Sequence, residues 1–518
     1  MTKTIEKLNK TIEDKDSKIL DLTRRNEEQR RRIKMLEKKV FGSSSEQAVI
    51  NEDNPDQPFL DFKDGQVVPL PDLQNPKEEK KSDQKTKAKK KKGGGNQMLF
   101  PENIDTEELF LDVPENERTD PETGKPFPVI AEERTTKLIR VAATWKKLVL
   151  IRPVYGCGNL GVVKAELPQF AVSTKLDETA IADILVKRFC HHLPFYRIEE
   201  IYKEENFKVT RQTLDKIFLD AGATLCVLAP VLKEEIFRSL AIHIDETTVK
   251  QQKKGKGSLH QAFMWLVCGT PPDCIASLVW MHFDETRKHH VATDILGDYS
   301  GIVHSDAYQA YENLASLGKF TWAMCWVHAR RKFLEAAECT TQKNTIGLMT
   351  NIMHEDNKTD EMNSENRLKY RQTVITPLVD QLLKYMKDNV NNKEVMAFES
   401  LSKAFNYVLK RQESFKAFLQ NSEAQMDNNK AERAIRPFTI GRKNWLFVGS
   451  QKGGEASALM YSLLQSCRNF GINPQEYLEN VLRRLPYTSK EDLVNLLPHK
   501  WEKIENPLSP YLPTGYQP

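Results

Sequence analysis

Hydrophobic residues recur at heptad spacing along residues 1–41. Aliphatic side chains occupy most of the a and d positions, namely Ile5, Leu8, Ile12, Ile19, Leu22, Ile33, Leu36 and Val40. Charged residues fill the other positions, so the pattern predicts a coiled coil. Asn26 falls at an a position, where asparagine favours a parallel, in-register dimer. We therefore expect a homo-oligomer, at least a dimer; a lone amphipathic helix that packs on the rest of the protein is the alternative.

Polar, proline-bearing and lysine-rich sequence follows the heptads and predicts a basic, disordered linker over residues 42–98. Within residues 77–92 nine lysines face three acids. Such a segment is either a solvated linker or a flexible polycation that binds DNA through counterion release, without sequence preference. Short alternating runs, such as residues 148–151, then predict a small β-rich module over residues 99–170.

Apolar positions at helical spacing mark residues 171–237. Thr179 and Thr210 are placed to cap two helices, and Pro194 to open the helix between them. The last two helices are joined by a short turn, which fits a helix-turn-helix; a plain packing unit is the alternative. In the first case two basic side chains of the last helix are available to DNA, Arg211 and Lys216.

A β-rich region begins near residue 238. Its strand candidates are residues 240–244, 262–268, 276–283, 301–304 and 320–327, with a helix at 289–296 between the third and the fourth. Three strands, a helix and further strands is the order of an RNase H-like α/β sheet. We therefore expect an α/β catalytic core over residues 238–455, a helical insertion at 334–425, and a C-terminal helical element and tail at 456–518.

Three acids stand where this core would bring them together. Asp245 directly follows the first strand candidate, Asp306 follows the fourth, and Glu432 lies on a short helix after the insertion. We expect Asp427 to cap that helix and Pro437 to end it. Since the first and fourth strands are neighbours in an RNase H-like sheet, their ends bring the two aspartates together.

Cleavage of a phosphodiester by two divalent metal ions needs hard oxygen ligands that converge from different elements. Three carboxylates suffice, because Mg²⁺ or Mn²⁺ keeps water and phosphate oxygens as its other ligands. The catalytic and metal-binding residues are therefore predicted to be Asp245, Asp306 and Glu432. Two other acids are rivals on position alone, Glu246 and Asp284.

The segments around these acids resemble the core motifs of one bacterial family. They are HIDET at residues 243–247, HSDAY at 304–308, CWVHARRKF at 325–333, DNNKAERAIRP at 427–437 and GRKNWLF at 441–447. The chain is similar over about residues 165–500 to the insertion-sequence-sixty-six-type transposases. The resemblance implies a DDE transposase that binds element ends and catalyses Mg²⁺-dependent 3′-end cleavage and strand transfer. It also suggests accessory proteins encoded by the same element.

Basic residues flank the acids and are expected to hold the DNA backbone. They are Arg330, Arg331, Arg433, Arg436, Arg442 and Lys443. Cys325 and His328 form a Cys-x-x-His element seen in related transposases. Two ligands are too few for a closed zinc site, so we expect a structural role near the active site.

Members of this family commonly carry a zinc module of two cysteine pairs before the catalytic domain. Here only Cys157 remains, with Leu160 at the position of its partner. Residues 99–170 are therefore expected to form a degenerate zinc-finger-like module that binds no zinc.

The hydropathy of the chain and the spacing of its cysteines bear on membrane insertion and on Cys-x-x-Cys sites. No apolar run reaches the roughly 18 residues that a membrane-spanning helix needs, and the eight cysteines form no Cys-x-x-Cys pair. We expect a cytoplasmic, nucleoid-associated protein with no membrane partner. Two alternatives to the transposase stay open: a catalytically inactive DNA-binding relic or repressor, and a nuclease that acts on RNA hybrids or branched DNA.

Overall fold

The computed structural model describes residues 105–114, 117–120, 124–141, 144–156, 162–252 and 258–503. These residues form a mixed α/β protein with two sheets, which confirms the predicted class. The predicted coiled coil, the linker and Cys157 lie outside the described residues. The division into domains stays a prediction.

The first sheet belongs to the predicted β-rich module. Its strands are β1 (Asp105–Phe110), β2 (Val129–Val141), β3 (Thr144–Gly156) and β4 (Val162–Lys164). The central strand β3 pairs with β1 in parallel and with β2 and β4 in antiparallel. Leu148 and Leu150 of β3 are buried in a small core beneath the sheet, as the alternating pattern requires.

Four helices follow in the region predicted to be helical: α1 (Glu178–Phe189), α2 (Phe195–Glu204), α3 (Arg211–Leu225) and α4 (Leu228–Phe237). Pro194 precedes α2, and the hydroxyl of Thr210 caps α3 by accepting from Thr213 N at 3.3 Å, as expected. The expected cap of α1 is wrong. Asp177 accepts the N–H of Thr179 at 2.9 Å, and a carboxylate two residues earlier takes the place of the hydroxyl.

The second sheet carries the candidate site. Its strands are β5 (Ala241–Gln252), β6 (Leu259–Gly269), β7 (Leu278–Asp284), β8 (Ile302–Ser305), β9 (Thr321–Met324) and the short β10 (Phe447–Val448). The order is β7-β6-β5-β8-β9, with β10 also on β5. The first three strands are antiparallel, whereas β8 and β9 run parallel to β5.

The first strand is longer than its apolar run indicated. β5 continues to Gln252, so Asp245 lies inside the strand and not after its end. The extension pairs with β6 along its whole length, whereas β8 accompanies β5 only from Ala241 to His243. Cross-strand hydrogen bonds to β6 thus stabilise a polar segment that the local pattern does not mark as a strand.

Helices surround this sheet and fill the insertion. They are α5 (His289–Leu296), α6 (Gln309–Ser316), α7 (Trp326–Leu334), α8 (Thr340–Asn357), α9 (Ser364–Tyr370), α10 (Thr376–Asn389), α11 (Lys393–Ala397), α12 (Glu399–Leu409), α13 (Gln412–Gln420), α14 (Asn429–Trp445), α15 (Gln451–Asn469) and α16 (Pro474–Arg484). A π-helical turn, Arg371–Ile375, joins α9 to α10, and 3₁₀ turns follow at Leu485–Tyr487 and Leu493–Leu496. No helix of the described segments is long and apolar enough to span a membrane.

Helix α15 covers the edge strand β7 through two serines. The hydroxyls of Ser462 and Ser466 accept the backbone N–H groups of Met281 and Val279 at 2.7 and 2.9 Å. These donors would otherwise be unpaired at a sheet edge, so the buried hydroxyls close that side of the sheet.

Helix α14, which carries Glu432, does not end at Pro437 as expected. It runs through the proline to Trp445. An interior proline removes one helical hydrogen bond and costs about 3 kcal/mol. Phe438 and Trp445, both buried beyond the proline, offset that cost, because they pack into the core only if the helix continues.

Candidate active site

The register of β5 and β8 positions the two aspartates. His243 of β5 lies opposite His304 of β8, and each aspartate is the second residue after its histidine. Because the two strands are parallel, Asp245 within β5 and Asp306 just after β8 occupy equivalent positions at the end of β8. The sheet thus brings these two predicted site residues together.

The electrostatics of Asp245 show that the third predicted acid is also near. Burial is the largest cause that raises its pKa, to about 8, and the carboxylates of Glu246, Asp306 and Glu432 raise it further. Like charges disfavour ionisation only at short range in a partly desolvated site. Asp306, at the end of β8, and Glu432, on α14, therefore lie within electrostatic range of Asp245 on β5, and we call these three acids the acidic cluster.

Asn428 attaches the start of α14 to β5. Its Nδ2 donates to the carbonyl of Ile244 at 2.9 Å, and its Oδ1 accepts from Nδ1 of His243 at 3.0 Å. Its own backbone N–H donates to Sγ of Cys325 at 3.3 Å. The side chain is buried, so a single amide determines where the first turn of the helix lies relative to the strand of Asp245.

His243 of β5 and His304 of β8 stack on each other, two residues before the two aspartates. Their rings stack with centroids 4.2 Å apart. Nε2 of His304 accepts from Gln425 N at 2.7 Å, so Nδ1 carries the proton and donates to the carbonyl of Ile242 at 3.2 Å. Burial lowers the pKa of His304 to about 4, in agreement with a neutral ring.

The rival acids differ from the three predicted ones. Glu246 lies in the cluster, but Arg287 pairs with its carboxylate, and the Tyr311 hydroxyl donates to it at 3.0 Å. The carboxylate of Asp284 accepts the N–H of Thr286 at 2.6 Å and forms a turn after β7. Glu246 thus has a cationic partner, and Asp284 has a local structural role.

A cleft of about 390 Å³ opens beside Asp306. It is lined by Asp306, Ala307, His328, Arg331, Lys332, Glu335, Tyr407 and Arg411. Three of these side chains are basic, and Arg411 is paired with Glu312 at 2.7 Å. The arrangement of one catalytic candidate with cations on its wall suits a phosphate backbone.

The basic residues expected to bind DNA fall into three groups. Arg330 and Arg331 lie on α7 with His328, and Arg433 and Arg436 are exposed on α14 with Glu432, as is Lys443 further along that helix. Arg442 instead donates to Thr247 Oγ1 at 2.9 Å and to the Thr248 carbonyl, so it attaches α14 to β5. On α3, Arg211 is exposed and Lys216 pairs with Asp220 at 2.6 Å.

Sequence reasoning missed Asn428, Arg287 and Tyr311. Asn428 stands in a quoted motif, but its partners are remote in sequence, so no local pattern indicates its role. Glu246, Arg287 and Tyr311 come from three separate elements, and only the fold makes them neighbours.

The donor set of the acidic cluster fits a divalent cation. The three acids, carried by three elements, supply hard carboxylate oxygens, which are the ligand type of Mg²⁺ and Mn²⁺. Burial and the neighbouring carboxylates raise the pKa of Asp245, so positive charge nearby would favour its ionised form. A bound cation would supply that charge.

Comparison with known proteins identifies the family of this chain. A family model described as Transposase IS66 family matches residues 174–456, and one described as IS66 C-terminal element matches residues 462–499. The chain is 30% identical over 376 residues to the uncharacterized protein y4qI of Sinorhizobium fredii, with 69% of each protein covered. It is 26% identical over 410 residues to the uncharacterized protein y4hP of the same organism, with 73% of this chain and 72% of that protein covered. Since the first family model alone spans more than half of the chain, the protein belongs to the IS66 family of transposases.

Proposed function

We propose that this protein is a DNA transposase that binds the ends of an insertion sequence and catalyses Mg²⁺-dependent 3′-end cleavage and strand transfer. The observation that carries the proposal is the joint placement of the acidic cluster: β5 and β8 pair in register next to Asp245 and Asp306, and Asn428 attaches the helix of Glu432 to β5. Membership of a transposase family supports the same activity.

An RNase H-like core is part of this proposal. It is supported by the strand order β7-β6-β5-β8-β9, with three antiparallel strands followed by two that run parallel to the central one. The insertion of helices α8 to α13 between β9 and α14 separates Glu432 from the aspartates in sequence.

Hydrogen bonds of the fold hold the elements that carry the three carboxylates. Asp245 and Asp306 are carried by hydrogen-bonded neighbouring strands, and Glu432 by a helix that Asn428 attaches to β5. Bound Mg²⁺ or Mn²⁺, held as two ions by these carboxylates, would activate the attacking water or 3′-hydroxyl and stabilise the leaving oxygen. Both reactions are in-line phosphoryl transfers, so the chain needs no covalent nucleophile of its own.

DNA binding would use the exposed cations near the cluster. Arg331 and Lys332 in the cleft, together with Arg433 and Arg436 on α14, would contact phosphates of the DNA backbone. We further propose that α2 and α3 act as a helix-turn-helix, that the N-terminal heptads pair two copies, and that accessory proteins take part. A transposase with these partners would act at the nucleoid.

The test is an end-cleavage assay on DNA that flanks the reading frame, with Mg²⁺ and the full-length protein. Asp245→Asn, Asp306→Asn and Glu432→Gln should each lose cleavage, whereas the matched control Asp284→Asn should keep it, since that carboxylate only forms a turn. Full activity in one of the first three proteins would remove that residue from the triad.

Calorimetric titration with Mg²⁺ distinguishes the enzyme from an inactive DNA-binding relic. The enzyme should bind Mg²⁺, and each triad variant should weaken that binding. A core that binds DNA but takes up no Mg²⁺ would instead indicate the relic or repressor.

A further inference from the structure

A second set of potential metal ligands lies beside the acidic cluster. Three potential ligand atoms lie within 4.8 Å of one another, one each from Cys325, His328 and Glu432. Nε2 of His328 is 3.6 Å from Oε1 of Glu432. That distance is too long for a hydrogen bond. It matches two ligands of one tetrahedral ion, because zinc bond lengths of about 2.0–2.3 Å separate ligands by about 3.3–3.7 Å.

Two polar atoms of these residues lack hydrogen-bond partners. Among the residues that the structure describes, Oε1 of Glu432 and Nδ1 of His328 are shielded from solvent without a hydrogen-bond partner. Buried polar atoms without partners cost free energy, and each such atom needs an explanation. A cation coordinated by the carboxylate would satisfy Oε1 directly.

The surroundings of Cys325 include groups that would stabilise a metal-bound thiolate. The residue is the N-cap of α7, and its Sγ accepts the backbone N–H group of Asn428 at 3.3 Å. A helix N-terminus and an N–H donor stabilise a thiolate. Burial raises the pKa of the free thiol to about 12, but a coordinated thiol is deprotonated by its metal.

The chemistry of the set differs from that of the triad. Thiolate and imidazole are ligands for Zn²⁺ and similar ions, whereas Mg²⁺ prefers oxygen. The Cys-x-x-His pair alone offers two ligands, too few for a zinc site, and the fold adds the third from α14.

We propose that Cys325, His328 and Glu432 form a binding site for Zn²⁺ or a similar borderline-soft divalent cation, with water as the fourth ligand. Binding replaces the S–H bond of Cys325 by an S–Zn bond and releases the proton to solvent. The site shares Glu432 with the Mg²⁺ ligands. In this respect the inference rests on the proposed function: Zn²⁺ withdraws Glu432 from the triad and inhibits cleavage.

Co²⁺ in place of Zn²⁺ tests the site without reference to activity. The metal-free full-length protein should show a thiolate-to-cobalt charge-transfer absorption that saturates at one ion per chain. Zn²⁺ should abolish this absorption, and Mg²⁺ should leave it unchanged. Cys325→Ser should remove it, and His328→Asn should weaken Co²⁺ affinity by more than the roughly 10–100-fold that loss of an outer-shell partner costs. Cys226→Ser is the matched control, because that thiol is free and exposed.

His328→Asn also guards against misfolding, since its side chain is partly exposed and Cys325 is buried. Absence of the absorption in the wild type, or its persistence in Cys325→Ser, would overturn the proposal. The inhibition is measured by adding Zn²⁺ to the Mg²⁺-dependent cleavage assay and comparing each protein with its own uninhibited rate. Cobalt binding without any cleavage would contradict the proposed function alone, and cleavage without cobalt binding would contradict this site alone.

Discussion

The side-chain amide of Asn428 donates a 2.9 Å hydrogen bond to the backbone carbonyl of Ile244, the residue before Asp245. The other end of the same amide accepts from His243. Through this one buried side chain, the helix of Glu432 is positioned on the strand of Asp245. The geometry of the acidic cluster therefore depends on a residue that is not itself acidic.

Asn428→Ala should reduce both stability and Mg²⁺-dependent cleavage. It leaves the Ile244 carbonyl and His243 without their partner, which costs about 1–3 kcal/mol in the free energy of unfolding. Urea unfolding and the end-cleavage rate measure the two effects. Asn429→Ala is the control, because among the described residues its side chain donates to the carboxylate of Asp427, two residues earlier, and it should lose far less stability and activity. Equal losses in the two variants would refute a special role for Asn428.

Asp245→Asn should stabilise the metal-free protein while abolishing cleavage. The folded pKa of Asp245 is raised from 3.8 to about 8, so the wild type loses stability as pH rises between these values. The amide has no charge to desolvate, so the variant should lack this pH dependence. Melting temperatures of both proteins, measured from pH 4 to pH 8 with a chelator present, test this prediction. The melting temperature of Asp245→Asn should exceed that of the wild type by the largest amount near pH 8.

In Mg²⁺ the wild type should have a higher melting temperature than Asp245→Asn, the reverse of their order in a chelator. A bound cation stabilises the wild type by mass action and needs the ionised carboxylate. If Mg²⁺ raises the melting temperature of Asp245→Asn as much as that of the wild type, Asp245 is not a ligand.

Gly454→Ala should destabilise the fold. A Cβ at this position of α15 would lie 2.5 Å from the ring of Phe283 on β7. Overpacking of this kind costs about 1–3 kcal/mol. Gly347→Ala in α8 is the control, since among the described residues no atom beyond its own stretch of helix lies within 4 Å of its added Cβ, and it should gain about 0.5–1 kcal/mol from helix propensity. Thermal unfolding measures the stability of both variants, and a Gly454→Ala protein as stable as the wild type would contradict the prediction.

Arg331→Ala should weaken DNA binding and reduce its salt dependence. Each lost phosphate contact lowers the slope of log K against log salt concentration by about 0.9. Fluorescence anisotropy over a salt series measures the slope. Lys403→Ala on α12 removes a charge from an exposed pair with Glu399 and should leave the slope unchanged. An unaltered slope in Arg331→Ala would exclude a phosphate contact by that residue.

Local patterns predicted the elements that depend on local forces. The helix at residues 289–296 has the predicted bounds, and Thr210 caps α3 as expected. The errors fall where packing outweighs local preference: α14 passes through Pro437, and β5 extends beyond its apolar run because β6 pairs with it. The predicted coiled coil and linker remain predictions, since they lie outside the described residues.

By itself the sequence determined the α/β class, the acids at their motif positions and the resemblance to a transposase family. These follow from periodicity and from short motifs, which need no knowledge of distant residues. Only the tertiary structure decided that Glu246 is paired with Arg287, that Asn428 joins helix to strand, and that Glu432 meets Cys325 and His328. Such neighbours are far apart along the chain, and the burial and hydrogen bonding of the whole core bring them together, so no local pattern records them.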